Sequence, residues 1–415
     1  MGSKAIGVCA NSGDAQPEVI YRQRSPLRIS ISAIGKFHMF DLARQMLRLG
    51  QSVTLYTGNP MLKVDADLRA STRNYPVWHT MSALRHRFLP TSRSTWWQDI
   101  DMRTMGRWLA RSVQPENTDV LDGLDGPGPD AGRLMKNACK VWVCNRGSAH
   151  ILTQKQILED EHRRWGASPP IFSDQHLDRC VAEYEEADAI VVPSDFAKQS
   201  FISHGLKPST IYVQPYGVDL DLFKPVAKED STFRVLFVGA LSIQKGIGYL
   251  LDAMKPLVDK RLAELWLVGA VDDAAKHILN RHKDVFIYKG LQSRSGLKWY
   301  YSQASVLVLP SIQEGLALVQ AQAMACGIPV IASTNTGASN LFTDGVEGFI
   351  VPARDAKAIR DRVEWLIVHP HEHSVMKSAA LARVEKLGGW NEYGERCLLM
   401  YRELVDAKTQ GRLPH

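Results

Sequence analysis

The sequence predicts an α/β protein made of two doubly wound, Rossmann-like domains that face each other across a cleft. Three observations carry this expectation. Short β-branched apolar runs alternate with segments of helical periodicity along most of the chain. The alternation begins near Leu27 and restarts near Phe233, with a break rich in proline, glycine and acidic residues between. The length of 415 residues suffices for two domains of ordinary size.

In the first half, residues 1–26 read as a flexible lead. Leu27–Ile34 is an apolar strand, Gly35-Lys36-Phe37-His38 a turn, and Phe40–Gly50 a helix closed by glycine. QSVTLYTG follows as a second strand, which completes the β–loop–α–β unit of parallel sheets. After TIYVQ, the stretch Gln214–Pro225 suits an interdomain linker. The second half repeats the scheme: strand Phe233–Leu241, turn SIQKG, helix IGYLLDAMKPLV, strands AELWLVGA and DVFIYKG, and the buried strand Ser305–Ser311. Trp390–Ala407 is an amphipathic helix expected to pack back on the first domain, before a polar tail. The expected organisation is lead 1–26, first domain 27–216, second domain 217–389, return helix 390–407 and tail 408–415.

Composition is that of a globular protein, 45% hydrophobic and 23% charged, with a modest net charge of +6. No apolar run approaches the ~20 residues of a transmembrane helix. The first residues, MGSKAIGVCANSGDAQPEV, lack the apolar core of a signal peptide. Six cysteines are scattered without CxxC pairs, which favours reduced thiols and a cytoplasmic location.

The most informative stretch is Ser311–Ser333, SIQEGLALVQAQAMACGIPVIAS. It reads as a loop, an acidic residue at a helix start, a helix of small and apolar residues, and a buried strand. Free N–H groups of a first helical turn attract anions, typically phosphate. Glu314 beside them accepts hydrogen bonds from sugar hydroxyls. Lys245, in the turn Ser242–Gly246, adds a point charge beside a glycine that lets backbone approach a ligand. Both turns follow strands, on the edge where open α/β sheets bind ligands. A sugar carrying phosphate fits this pair.

GALSIQKG, VFIYKG, EGLALVQAQ and ACGIPVIAS stand in an order and spacing that resemble the donor domain of retaining glycosyltransferases of the GT-B fold, specifically glycosyltransferase family 4. Pro193–Asp219 also resembles that family's run into its linker, so the resemblance covers most of the chain from about residue 27. It implies that Lys245 binds a donor diphosphate and Glu314 holds the transferred sugar. Gly239 and Ser242 belong to the same phosphate turn. Gly315, Leu316, Ala317 and Leu318 would present backbone N–H groups, and Gly290 would lie by the nucleobase. In the first domain, Gly35 and His38 resemble the glycine loop that contacts the diphosphate.

Two positions depart from the family pattern. Ala240 stands where an arginine is expected, so Arg146 or a helix N-terminus would have to compensate. Gln322 stands where a glutamate grips the ribose, and an amide accepts without charge assistance. Glu314, Lys245, His150 and Arg146 form the expected catalytic set. His150, in Cys144–His150, is read as facing the cleft near the reacting sugar, though not as a general base; the other reading is a histidine satisfied by backbone.

No metal or organic cofactor is expected. Asp65-Ala-Asp67 and Asp219-Leu-Asp221 match a D-x-D spacing but lack the rest of a metal-binding architecture, and Asp122–Asp130 does not fit an EF-hand. Arg69–Arg111 carries eight arginines, two acids and the tryptophans 78, 96, 97 and 108. It is either a solvated basic face over buried tryptophans or a contact for an anionic membrane surface. No nucleic-acid module is recognisable. The expected function is transfer of a sugar from a nucleoside-diphosphate sugar to a hydroxyl of a glycan or lipid-linked saccharide. The alternatives are a sugar-nucleotide epimerase or hydrolase, and a non-catalytic nucleotide-sugar-binding subunit.

Overall fold

A computed structural model describes residues 25–75 and 94–413, without the side chains of 94–98. Most of the expected N-terminal lead, the last two residues of the tail, Trp78 and the arginines 85, 87 and 93 lie outside the described residues, as do the side chains of Trp96 and Trp97.

Two parallel sheets organise the chain. The first runs β3-β2-β1-β4-β5-β6-β7, with β1 Arg28–Ala33, β2 Ser52–Thr57, β3 Thr72–Asn74, β4 Val120–Leu124, β5 Val141–Asn145, β6 Ala189–Val192 and β7 Ile211–Val213. The second runs β10-β9-β8-β11-β12-β13, with β8 Arg234–Val238, β9 Glu264–Val268, β10 Ile287–Tyr288, β11 Val306–Leu309, β12 Val330–Ser333 and β13 Gly348–Val351. β5, β6, β8 and β11 are buried along their whole length. Strands covered by helices on both faces have no polar side to expose, so their sequences read as continuous apolar runs.

The helix Trp390–Thr409 lies against the helix His38–Arg48 of the first domain. Gly394 permits this: a Cβ there would sit 2.4 Å from Cβ of Gln45. Two buried polar contacts fix the packing. Tyr401 donates to Asp122 Oδ2 at 2.5 Å, and Lys408 pairs with Asp188 at 2.7 Å. Burial pushes the Asp122 carboxyl up to about 7 despite its hydrogen bonds.

One element differs from expectation in a way that bears on the site. The helix after β11 begins at Leu318 and runs to Ala325. Glu314 therefore precedes it by four residues, in an irregular lead. The lead is held out of helix by the hydrogen bond from Glu314 N to Asn335 O at 3.0 Å and by the packing of Gly315 described below.

Candidate active site

β8 and β11 are neighbours in the second sheet, yet the connections from them run in opposite directions along it. This is the topological switch point, where turns diverge and leave a crevice beyond the strand ends. Lys245 follows β8 and Glu314 follows β11. The two turns are joined by Ile312 N donating to Gln244 O at 2.8 Å and Gln244 Nε2 donating to Gln313 O at 3.0 Å. Gly246 has φ +69°, and a Cβ on it would lie 2.1 Å from Pro310 O, so only glycine lets the turns approach so closely. In this arrangement Lys245 Nζ forms an ion pair with Glu314 Oε1, and Ser311 Oγ donates to the same oxygen at 3.0 Å. Ser242 Oγ accepts from Lys245 N at 3.3 Å.

Beside this pair, no acceptor among the described residues takes the N–H groups of Gly315, Leu316, Ala317, Leu318 or Val319. A run of unpaired amides next to an ammonium group is a site for an anion. The first domain closes over it at Gly315. A Cβ there would lie 2.1 Å from Gly147 O, and Ser194 Oγ donates to Gly315 O at 2.6 Å. Gln313 Nε2 donates to Ser148 Oγ at 2.6 Å. Farther along the interface, Trp165 packs on Gly248 and the buried Glu161 accepts from Arg354 Nε at 2.6 Å.

The first sheet has its own switch point between β1 and β4, and the turn Gly35–Phe37 lies beyond β1. A cleft of about 530 Å³ opens between the domains, lined by Lys36, Phe37, His38, Asp41 and Arg44 on one side and by Arg294, Leu318 and Gln322 on the other. His38 is 2% exposed, and its Nε2 lies 2.9 Å from Asn145 Oδ1. Burial lowers this imidazole to about 4, so it is neutral near pH 7. Gln322 lines the cleft while its Oε1 accepts from Tyr301 at 2.8 Å. Gly239 has φ +147° and accepts the close approach of Gly269; Gly290 has φ +70°, and its carbonyl accepts from Gly269 N at 2.9 Å.

Two expected site residues lie elsewhere. His150 does not face the cleft. It caps the helix Ile151–Arg164, with Nδ1 accepting from Leu152 N at 3.3 Å, and its ring stacks on His204 at 4.1 Å. Burial and the neighbouring His204 lower it to about 3. Arg146 is not available to a phosphate. Its NH1 pairs with Asp125 at 2.5 Å, Nε donates to Ala149 O at 3.0 Å, and NH2 donates to Gln154. Its work is to hold the loop that carries Gly147 and Ser148 to the interface. The D-x-D carboxylates are engaged by cations: Asp65 and Asp67 by Lys36 and Arg44, Asp219 by Arg294, and Asp221 by Lys224.

Sequence reasoning missed Asn145, Arg44, Arg294 and the interface pair Ser148–Gln313. Asn145 ends a buried strand, and a polar residue there was a usable signal. Apart from the i,i+3 pair of Arg44 with Asp41, the others meet their partners through tertiary contact.

The architecture is the GT-B fold. It superposes on a sucrose-phosphate synthase from Thermosynechococcus elongatus with a TM-score of 0.72 at 20% identity, covering 92% of this chain and 100% of that one. It also superposes on Anabaena HepE, solved with UDP-glucose, with a TM-score of 0.66 at 16% identity, covering 90% and 99%. The model of Glycosyltransferase Family 4 matches residues 36–222, and that of Glycosyl transferases group 1 matches 232–369. The chain belongs to glycosyltransferase family 4, the group 1 glycosyltransferases. Curated relatives include an uncharacterized glycosyltransferase of Methanocaldococcus jannaschii, 28% identical over 55% of this chain and 66% of that one. A D-inositol 3-phosphate glycosyltransferase of Kribbella flavida is 27% identical over 54% and 58%. Another, of Catenulispora acidiphila, is 26% identical over 73% and 77%. The chain thus spans less than two thirds of the length of the first two.

Proposed function

We propose that this protein transfers a sugar from a nucleoside-diphosphate sugar to an acceptor hydroxyl, with retention at the anomeric carbon and without a metal ion. The observation that carries the reading is the pairing of Lys245 with Glu314 at the switch point, beside five unpaired amides.

As the glycosidic bond to phosphate breaks, negative charge grows on the leaving diphosphate. Fixed positive potential at that place lowers the barrier. Lys245 and the amides of 315–319 supply it, which makes up for Ala240 where an arginine is expected. Glu314 turns from Lys245 to the sugar hydroxyls when the phosphate takes the ammonium group. The acceptor hydroxyl attacks on the face the phosphate leaves, and the departing phosphate takes its proton. No side-chain base is then required, in keeping with the position of His150. Contact at Gly147 and Gly315 excludes water and limits hydrolysis of the donor.

A uridine donor is the first to test, since the Anabaena neighbour was solved with UDP-glucose. The acceptor is a glycan or lipid-linked saccharide bound against the first domain. Arg103, Arg107 and Arg111, exposed at four-residue spacing on the helix Ser94–Ser112, would bring a cytoplasmic enzyme to an anionic membrane surface. Among the described residues no helix is long and apolar enough to cross a membrane.

The test is a panel of nucleotide sugars, with and without acceptors and a chelator, read as nucleoside diphosphate released. Acceptor-dependent release that survives chelation is expected. Epimerisation without acceptor would replace transfer by the epimerase reading. Ligand-induced thermal stabilisation without turnover would favour a binding subunit, the reading that Ala240 and Gln322 motivate.

A further inference from the structure

The wall of the cleft contributed by the first domain carries an ion-pair network that faces Leu318 and Gln322 of the second domain. Arg44, on the helix His38–Arg48, is at its centre. Its three guanidinium nitrogens go to three different carboxylates: NH1 to Asp41 at 2.7 Å, NH2 to Asp65 at 2.9 Å and Nε to Asp67 at 2.6 Å. Lys36 pairs with the other oxygen of Asp65 at 2.6 Å. Across the cleft, Arg294 reaches Asp219 of the linker at 3.4 Å.

On this wall two cations therefore face three carboxylates, and among the described groups it is negative on balance. An arginine presents its donors in a fixed fork, and here each side of the fork is occupied. A phosphate or carboxylate on an incoming acceptor would have to displace carboxylates already seated there, against like charge. Hydroxyls meet the opposite situation. Asp65 and Asp67 keep lone pairs beyond those the cations use, and Asp41 Oδ2 has no hydrogen-bond partner among the described residues. Phe37, 45% exposed at the same cleft, and Trp390 add aromatic surface of the kind that packs on sugar rings.

We infer that this wall is the acceptor subsite and that it selects an uncharged polyhydroxy acceptor, such as a sugar or cyclic polyol, against its phosphorylated counterpart. The inference rests on the transferase reading above. It would separate this chain from the relatives whose names specify D-inositol 3-phosphate. Asp65 is the specificity-determining residue, because among the described residues it is the one carboxylate shared by Lys36 and Arg44 and the partner of Lys36.

The experiment uses the full chain loaded with a nucleoside diphosphate, the loading measured by calorimetry. Saturation-transfer NMR then compares glucose, mannose, glycerol and myo-inositol with their monophosphates. The expected result is that at least one neutral compound binds ten times or more tighter than its monophosphate. Asp65→Asn should narrow that ratio several-fold by releasing Lys36 and removing one of the three carboxylates around Arg44. Tighter binding of a monophosphate by the unaltered protein, binding of neither member of any pair, or an unchanged ratio in Asp65→Asn overturns the inference. Failure of the loading step is a separate result, and it overturns the transferase reading itself.

Discussion

Lys245 and Glu314, separated by 69 positions in the chain, meet as an ion pair across the switch point of the second sheet. Neither lies in a strand or a helix. Each sits in a turn whose path is set by a glycine and by hydrogen bonds to the other turn. In the proposed reaction the two groups part, Lys245 toward phosphate and Glu314 toward sugar hydroxyls.

Replacing Glu314 with alanine is expected to lower transfer by a factor on the order of 10² or more, the scale of losing one transition-state contact. Folding should survive, because the carboxylate holds no core element. Turnover assays with circular dichroism check both. Near-normal turnover would remove Glu314 from the site.

Lys245→Ala is expected to weaken nucleoside diphosphate binding by about tenfold, roughly 1.4 kcal/mol. Calorimetric titration measures this directly. Unchanged affinity would assign the phosphate to other groups.

At Gly315 the prediction concerns the interface. Alanine there would place a Cβ 2.1 Å from Gly147 O and 2.9 Å from Pro193 Cγ. Small-angle scattering should show a larger radius of gyration than in the unaltered protein. Turnover should fall by about 10²-fold, since a displacement near 1 Å is enough for that loss. A variant equally compact and active would show that closure at Gly147 is dispensable.

The lowered histidines predict a pH dependence of stability. His38 and His150 titrate near 4 and 3 when folded, against about 6.5 in the unfolded chain. Between these values the unfolded chain binds more protons at these two positions, so their contribution to stability is full above about pH 6.5 and is lost as pH falls toward 4, with Asp122 acting in the opposite sense over the same window. His150→Asn keeps an acceptor for the helix N-terminus but removes one titration. The melting temperature of the variant should rise relative to that of the unaltered protein as pH is lowered from about 6.5 to 4. Parallel slopes would show that His150 does not carry this dependence.

The two sheets were legible in the sequence because buried parallel strands read as uninterrupted apolar runs, as in Val306–Leu309. Lys245 and Glu314 were legible because each follows such a run in a short polar turn. The start of the following helix was not: Leu318 has no side-chain cap to mark it, and the irregular lead depends on Asn335, from after the next strand. His150 was misplaced because position beyond a strand end does not tell which way a side chain turns. Its ring goes to His204, more than fifty residues later. Arg146 was misassigned for a related reason, since its partner Asp125 comes from the neighbouring strand end. Local pattern reports which residues stand at the sheet edge, and tertiary partners decide which of them remain free for a ligand.

The most direct measurement is a crystal structure of the protein with a nucleoside-diphosphate sugar. The account predicts phosphate oxygens within hydrogen-bonding distance of Lys245 Nζ and of the amides between Gly315 and Val319, with Glu314 on the sugar hydroxyls. A diphosphate seated away from both turns, with Lys245 still paired to Glu314, would contradict it.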